Sequence, residues 1–263
     1  MNVFVMVDIE GISGIYAKEQ VLRNELRFQE GRKCMTEEIN VCVSALKEAG
    51  VEKVYVRDCH SDSYTAMWDN LTSEADYYIA GDTGDERFAG LKDCDAVILL
   101  GYHALAGTYA GTLDHTFSSL RIQNMLYDGK AIGEIGVDMA IAGDYGKPVI
   151  MVSGDDKACA EAEQYGTGVV TAEVKKGLST CGAMLLPKEK AHAVIREKTI
   201  EAVKKFKEIK PFVMPKPVKL TVELVERTKM PNLNIHPYIK FIDARTMEIT
   251  ADCIETAVMA AFS

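Results

Sequence analysis

Acidic side chains follow the first apolar run of the sequence. Residues 3–7 have the length and β-branched content of a buried parallel strand, and Asp8 and Glu10 come directly after them. Gly11 and Gly14 allow the backbone to turn at this point. Ligands of open α/β sheets bind beyond the carboxyl ends of the strands, where two such carboxylates could hold zinc or a hard divalent cation. On this stretch alone, a capping Asp8 and a solvated Glu10 are an equally good interpretation.

The same pattern recurs after two further strand-like runs. Residues 51–56 are followed by Asp58 and His60, and the apolar run 95–100 is followed by His103. A single histidine at a strand end is more often a hydrogen-bonded structural residue. Two histidines joined to two carboxylates at successive strand ends reverse that expectation. We therefore predict one cluster at the carboxyl edge of a parallel sheet.

Two further residues complete the candidate cluster. Glu134 lies between two glycines at the start of a predicted helix, where the helix dipole alone would also favour a carboxylate. His115 follows residues 104–114, a Gly-rich segment that we expect to form a loop over the sheet edge. The candidate metal ligands are Asp8, Glu10, His60, His103 and Glu134.

This set of residues favours a hydrolase with two metal ions. A catalytic zinc ion uses about three protein ligands, so five candidates exceed the need of one ion. A carboxylate such as Asp8 can bridge two ions, which would polarise a carbonyl group and lower the pKa of bound water. The mixture of nitrogen and oxygen donors suits zinc best, with manganese or cobalt possible in vitro. His115 has the pKa range needed to move protons.

The elements that must position these residues alternate between strands and helices. The pattern predicts an α/β fold, with a mostly parallel sheet flanked by helices and a smaller C-terminal α+β portion. Three prolines between residues 211 and 217 mark the boundary, dividing a catalytic domain (1–210) from the C-terminal portion (211–263). Asp128-Gly129 predicts a β-hairpin. Helices are predicted over 25–49, 134–146, 156–165, 187–210 and 251–262, and further strands over 148–152, 169–174, 218–225 and 238–242.

Composition excludes several classes of function. A net charge of −9 over 263 residues argues against a nucleic-acid partner, and no apolar run is long enough to span a membrane. Seven irregularly spaced cysteines and a start without a signal-peptide pattern predict a cytoplasmic protein. Phosphate-binding Gly-rich loops and a serine-hydrolase elbow are absent from the sequence. Cys59 is interpreted as a packing residue, and His192 and His236 as non-catalytic.

The motifs VDIEGISG, RDCHS, LLGYHA, DH and GEIG occur in one order and at one set of spacings. In this the chain resembles the bacterial D-aminopeptidase family of dipeptide-transport operons, the self-compartmentalising zinc peptidases. The resemblance covers residues 1–160 with specific motifs and extends more loosely through the C-terminal portion. It implies two zinc ions per chain, held by the five candidate ligands with Asp8 as the bridge. It also implies that His115 is the catalytic nucleophile or general base.

The resemblance further implies a homodecamer of two stacked rings, built by the C-terminal portion, with active sites facing an inner chamber. The expected activity is zinc-dependent hydrolysis of short peptides with a free N-terminus, of the D-Ala-D-Ala type. An L-specific aminopeptidase, a metal-dependent amidase and a phosphoester hydrolase are the enzymatic alternatives. Phosphoryl sites usually add Arg or Lys clamps, and the motif loops offer chiefly Arg57. A non-enzymatic peptide-binding protein with structural metals is a further alternative, although structural zinc sites are normally rich in cysteine.

Overall fold

The computed structural model describes residues 1–84, 86–227 and 238–262. Strands and helices of these ranges form two β-sheets with five α-helices. The strands are β1 (Asn2–Val7), β2 (Lys53–Asp58), β3 (Tyr77–Ile79), β4 (Ala96–Tyr102), β5 (Ile122–Tyr127), β6 (Lys130–Ala131), β7 (Val149–Asp155), β8 (Val170–Ser179), β9 (Gly182–Leu185), β10 (Val218–Leu224), β11 (Ile239–Phe241) and β12 (Thr246–Ala251). The helices are α1 (Phe28–Glu48), α2 (Glu134–Asp144), α3 (Asp156–Glu163), α4 (Lys188–Lys205) and α5 (Ile254–Phe262).

The larger sheet has the strand order β3-β2-β1-β4-β7-β8-β9. Its strands pair in parallel except β9, which is antiparallel to β8. The central strand β1 lies between β2 and β4, and Val7 is in register with both Asp58 and Leu100. The prediction of an α/β fold with a mostly parallel sheet is confirmed. Because the chain leaves β1 toward β2 and later returns beside it as β4, a ligand-binding crevice is expected at their carboxyl ends.

Alternate residues of β1 point to two separate apolar cores. Val3, Val5 and Val7 pack with α1 and α4 on one face of the sheet. Phe4 and Met6 face the other side, where α2 and α5 lie. Burial of both faces explains why β1 and β4 read as continuous apolar runs instead of alternating ones.

The second sheet is antiparallel and has the order β11-β12-β10-β5-β6. Strands β5 and β6 form the predicted hairpin, and its turn residues Asp128 and Gly129 have φ values of 48° and 72°. Strand β10 pairs with β5 on one side and with β12 on the other. Residues from both sides of the predicted 210/211 boundary therefore share one sheet. The division into two domains stays a prediction.

Several elements differ from those expected from the sequence. Strands β3 and β12 correspond to no predicted strand, and α4 and β8 have other bounds. Helix α4 ends at Lys205 and continues as a 3₁₀ turn, Phe206–Glu208, instead of running to residue 210. A 3₁₀ turn at this end uses backbone groups that the last helical turn would leave unpaired. Strand β8 continues to Ser179 and pairs with β9, which the pattern of these partly exposed residues does not reveal. Among the described helices, none has the length and apolar character needed to cross a membrane.

Candidate metal centre

The three central strands deliver the candidate ligands to one edge of the large sheet. Asp8 follows β1, His60 follows β2 and His103 follows β4. The strands stay paired up to this edge, since the Asp8 amide donates to the Leu100 carbonyl at 2.9 Å. The loop after β1 then crosses closely over β4. A Cβ atom at Gly11 would lie 1.9 Å from the carbonyl oxygen of Tyr102, so only glycine fits there.

All five candidate ligands and His115 meet in one buried or nearly buried cluster. Nε2 of His103 lies 3.4 Å from Oδ2 of Asp8 and 3.1 Å from Oε1 of Glu134. Nε2 of His60 lies 3.5 Å from Oε1 of Glu10, and Nε2 of His115 lies 3.8 Å from Oε1 of Glu134. In two groups of three residues, one potential ligand atom from each residue lies within 4.8 Å of those of the other two. The groups are Asp8, Glu10 and His103, and His103, His115 and Glu134.

Hydrogen bonds of the histidine rings define which nitrogen faces the cluster. Nδ1 of His103 lies 3.0 Å from the Ala104 carbonyl oxygen, and Nδ1 of His115 lies 2.9 Å from that of Leu113. Because a carbonyl oxygen only accepts, each Nδ1 carries the proton and each Nε2 keeps a lone pair when the ring is neutral. The two rings stack with their centroids 3.9 Å apart, which holds His115 against the cluster.

The ionisation of the cluster follows from burial and from the pairing of opposite charges. Burial and the neighbouring Glu10 raise the pKa of Asp8 to about 7. Burial alone would also raise the pKa of Glu134, but the facing His103 outweighs it and holds the pKa at about 2. Glu10 in turn outweighs the burial of His60 and raises its pKa to about 9. His115 differs, because burial and the charge of His103 lower its pKa below the ordinary value.

A network of buried side chains supports Glu134 from behind. Arg87 donates from Nε and Nη2 to both carboxylate oxygens of Asp138, at 2.7 and 2.9 Å, and its Nη2 lies 3.7 Å from Glu134. The hydroxyl of Tyr102 donates to Asp138 at 2.5 Å. Sequence reasoning missed this network. Asp138 could have been found, since it lies four residues after Glu134 on the same helix face, but Arg87 comes from an irregular segment without a pattern.

The surroundings of three further residues are defined: Asp155, Cys59 and His192. Asp155 accepts hydrogen bonds from the Lys157 and Ala158 amides and so caps α3. Burial raises the pKa of the Cys59 thiol well above its ordinary value, which disfavours the thiolate that a nucleophile would need. His192 lies on α4, outside the cluster, and His236 lies outside the described residues.

The residues present suit a metal ion. Oε2 of Glu10 and Nε2 of His103 are buried and make no hydrogen bond of acceptable geometry, although both face the cluster. Three carboxylates buried this close together repel one another unless protons or a cation compensate them. Oxygen and imidazole donors without a thiolate are the ligand set of catalytic zinc sites.

Fold and donor set together place the protein in the class of metal-dependent α/β hydrolases. Comparison with known proteins identifies the group within that class. A peptidase family model described as D-aminopeptidase matches residues 1–262, and the chain belongs to this family. A D-aminopeptidase of Bacillus subtilis (strain 168) is 34% identical over 239 residues, which are 90% of this chain and 86% of that protein.

A solved structure gives the same picture. The zinc-dependent D-aminopeptidase DppA from Bacillus subtilis, described as a self-compartmentalizing protease, superimposes with a TM-score of 0.91 at 30% sequence identity. The match covers 99% of this chain and 96% of that one. The expectation of a peptide hydrolase from the D-aminopeptidase family is therefore confirmed.

Proposed function

We propose that this chain is a zinc-dependent aminopeptidase that hydrolyses short peptides with a free N-terminus and a D-residue in first position, of the D-Ala-D-Ala type. The observation that carries the proposal is the buried cluster of three carboxylates and three imidazoles at the carboxyl edge of the large sheet. Membership of the D-aminopeptidase family and the zinc dependence of the similar solved structure support it.

Two zinc ions per chain fit the cluster better than one. The five side chains other than His115 offer three carboxylates and two imidazoles, more donors than a single tetrahedral ion accepts. Asp8, Glu10, His60, His103 and Glu134 would hold the ions, with Asp8 between them. The ions supply polarisation of the scissile carbonyl group and activation of water.

The chain's own contribution to proton movement is assigned to His115. Burial lowers the pKa of its ring, which favours the neutral form that can accept a proton. The proton on Nδ1 is held by the Leu113 carbonyl, which leaves Nε2 as the atom that takes a proton or attacks the substrate. The stack against His103 fixes the orientation of the ring.

Turnover of D-Ala-D-Ala and L-Ala-L-Ala, with zinc measured on the same sample, tests the proposal. We expect a strong preference for the D-dipeptide with about two zinc ions per chain, and loss of turnover after chelation that added zinc reverses. A zinc-containing enzyme that prefers the L-dipeptide would refute the proposed D-specificity but would still be a metallopeptidase. Full activity without metal would refute the site itself.

The role of His115 is tested in the same assay. His115→Ala should lower kcat by at least about 100-fold while zinc content and melting temperature stay close to those of the wild type. His192→Ala on α4 is the matched control and should be fully active. An active His115→Ala enzyme would remove the catalytic role from this residue.

The proposal extends to the assembly of the protein and its location in the cell. A self-compartmentalizing relative supports a homo-oligomer, and we extend this to the decamer that the family resemblance implies, built by residues 211–263. Native mass spectrometry of the purified chain tests that number. Seven free cysteines support a reducing, cytoplasmic location, which cell fractionation would check.

A further inference from the structure

A cavity of ≈ 570 Å³ opens beside the candidate metal centre. Its walls include Cys59 and Ser61, which flank the candidate ligand His60, and Phe117, whose amide donates to Glu134 at 2.6 Å. Arg57 and Arg87 supply basic groups, and Phe262 of α5 supplies part of the apolar wall. The volume is within the range of about 300–1,000 Å³ that small-molecule sites occupy.

Arg57 is an unusual residue for its place in the sheet. It lies in β2 between Met6 of β1 and Ile79 of β3, on a face that is otherwise apolar. The residue is only 7% exposed, and its Nε and Nη1 atoms are buried without a hydrogen-bond partner. No carboxylate of the described residues lies within ion-pair distance of its guanidinium group.

The other arginines of the cavity are compensated. Arg87 makes a two-point contact with Asp138, and Arg23 at the rim pairs with Asp62 at 3.3 Å. Arg57 has no such ion pair; burial lowers its pKa, and of the groups around it Cys59 and Asp58 favour its charge while Arg87 opposes it. A buried cation without a counter-ion is costly to keep, which points to an anion that arrives with a ligand.

We propose that Arg57 binds the C-terminal carboxylate of the peptide substrate and so selects short peptides that end within this cavity. This inference rests on the proposed peptidase function. A peptide zwitterion matches the charges of the site, because its ammonium group favours the acidic cluster and its carboxylate favours Arg57. A guanidinium group donates charge-assisted hydrogen bonds to a carboxylate.

Arg57 and the candidate ligand His60 lie close together in the chain. Arg57 and His60 are three residues apart, so their Cα atoms are separated by at most about 10 Å. An extended dipeptide spans about 7 Å, and each further residue adds about 3.5 Å. A carboxylate bound at Arg57 therefore limits how many residues can follow the scissile bond.

Capped substrates test the inference. In the wild type we expect kcat/KM for D-Ala-D-Ala to exceed that for its C-terminal amide by about 10- to 100-fold, mainly through KM. In Arg57→Met the preference for the free acid should disappear, so that the acid and the amide have the same kcat/KM. Arg57→Lys should recover part of the preference. Arg196→Met, on the exposed face of α4, is the control that should behave as the wild type.

Two further measurements distinguish this contact from binding of a side-chain carboxylate and from a purely structural role of Arg57. D-Ala-D-Glu-amide carries its only carboxylate on a side chain, and if it were preferred over D-Ala-D-Ala, the assignment of the terminal carboxylate would be wrong. Thermal unfolding separates binding from a structural role. Arg57→Met should be at least as stable as the wild type, because it removes an uncompensated charge.

A measurement of ligand binding tests the role of Arg57 without relying on turnover. We expect calorimetry to show that N-acetyl-D-alanine binds the zinc-loaded wild type more tightly than N-acetyl-D-alaninamide does, and that Arg57→Met abolishes the difference. Equal binding of acid and amide to the wild type would overturn the role of Arg57. An enzyme that binds the acid through Arg57 but hydrolyses no peptide would refute the proposed function instead.

Discussion

Buried carboxylates are the most demanding residues of this protein, because each needs a cation, hydrogen-bond donors or a proton to be tolerated. Asp8, Glu10 and Glu134 face imidazoles at the candidate metal centre. Glu161 of α3 is instead stabilised by a backbone donor and by its own proton. It accepts a hydrogen bond from the Leu105 amide at 2.7 Å, and burial raises its pKa to about 7. Over a range of pH, Glu161 is therefore protonated in the folded state and ionised in the unfolded state.

This difference predicts a pH-dependent stability. Between pH 4.5 and about 7 the unfolded state releases the Glu161 proton while the folded state retains it, so the free energy of unfolding falls as pH rises. Glu161→Gln mimics the protonated form. Its stability relative to the wild type should rise by roughly 3 kcal/mol across this window.

Denaturant unfolding at several pH values from 4 to 8 measures the effect. Exposed Glu197 of α4 offers the control, and Glu197→Gln should track the wild type at every pH. A constant difference between Glu161→Gln and the wild type would show that Glu161 is ionised in the folded protein.

At the scale of elements, the loop after β1 depends on a strand far away in the sequence. Lys175 of β8 is 1% exposed, and its Nζ donates to the carbonyl oxygens of Glu10, Ile12 and Ile15 at 2.6, 2.9 and 2.7 Å. The buried ammonium group thus takes up three backbone acceptors of the loop that carries Glu10. Burial lowers the pKa of Lys175 to about 8. We interpret Lys175 as a positioning residue for Glu10.

Removal of this clamp should loosen the candidate metal centre. Lys175→Met leaves three buried carbonyl groups without a donor, and we expect a loss of about 3 kcal/mol of stability and a weaker affinity for zinc. Zinc titration with a competing chelator, together with denaturant unfolding, measures both. The neighbouring Lys176 is 58% exposed at its side chain, so Lys176→Met should change neither quantity. If Lys175→Met bound zinc as the wild type does, Lys175 would have no part in placing Glu10.

At the scale of the whole molecule, the C-terminal residues complete elements that begin much earlier. Strand β10 lies between β5 and β12 in the second sheet, and α5 packs against α2, the helix that begins at Glu134. Phe262 of α5 contacts Phe117 edge to face, with ring centroids 5.4 Å apart, at the wall of the cavity. The C-terminal portion therefore supports the candidate site from within one subunit, besides its proposed role in the oligomer.

A chain cut after residue 210 tests this dependence and the predicted domain boundary together. The cut removes the partner strand of β5 and exposes buried residues such as Ile122 and Met125. We expect residues 1–210 to lose cooperative unfolding and to aggregate, and co-expression of residues 211–263 as a separate segment to restore part of the soluble protein. A soluble 1–210 fragment with a sharp thermal transition would show instead that the first portion is an autonomous domain.

Much of the candidate site could be predicted from the sequence because each candidate ligand lies close in the chain to the element that positions it. Buried parallel strands appear as apolar runs, and their carboxyl ends meet at one sheet edge. Asp8, His60 and His103, each closely following such a run, were therefore bound to lie near one another once the strands were adjacent. The hairpin at Asp128-Gly129 is local in the same sense, since its turn depends on a few consecutive residues.

Tertiary structure alone decided which distant groups support that site. Arg87 and Asp138 are 51 residues apart, and Lys175 lies 165 residues from Glu10. Neither pairing has a periodicity in the sequence, because each depends on how separate elements pack. The isolation of Arg57 is also a property of the fold, since a charge lacks a partner only in relation to everything that surrounds it. Sequence by itself determined the candidate donors and the sheet edge where they meet, while long-range packing decided which groups support them and how they ionise.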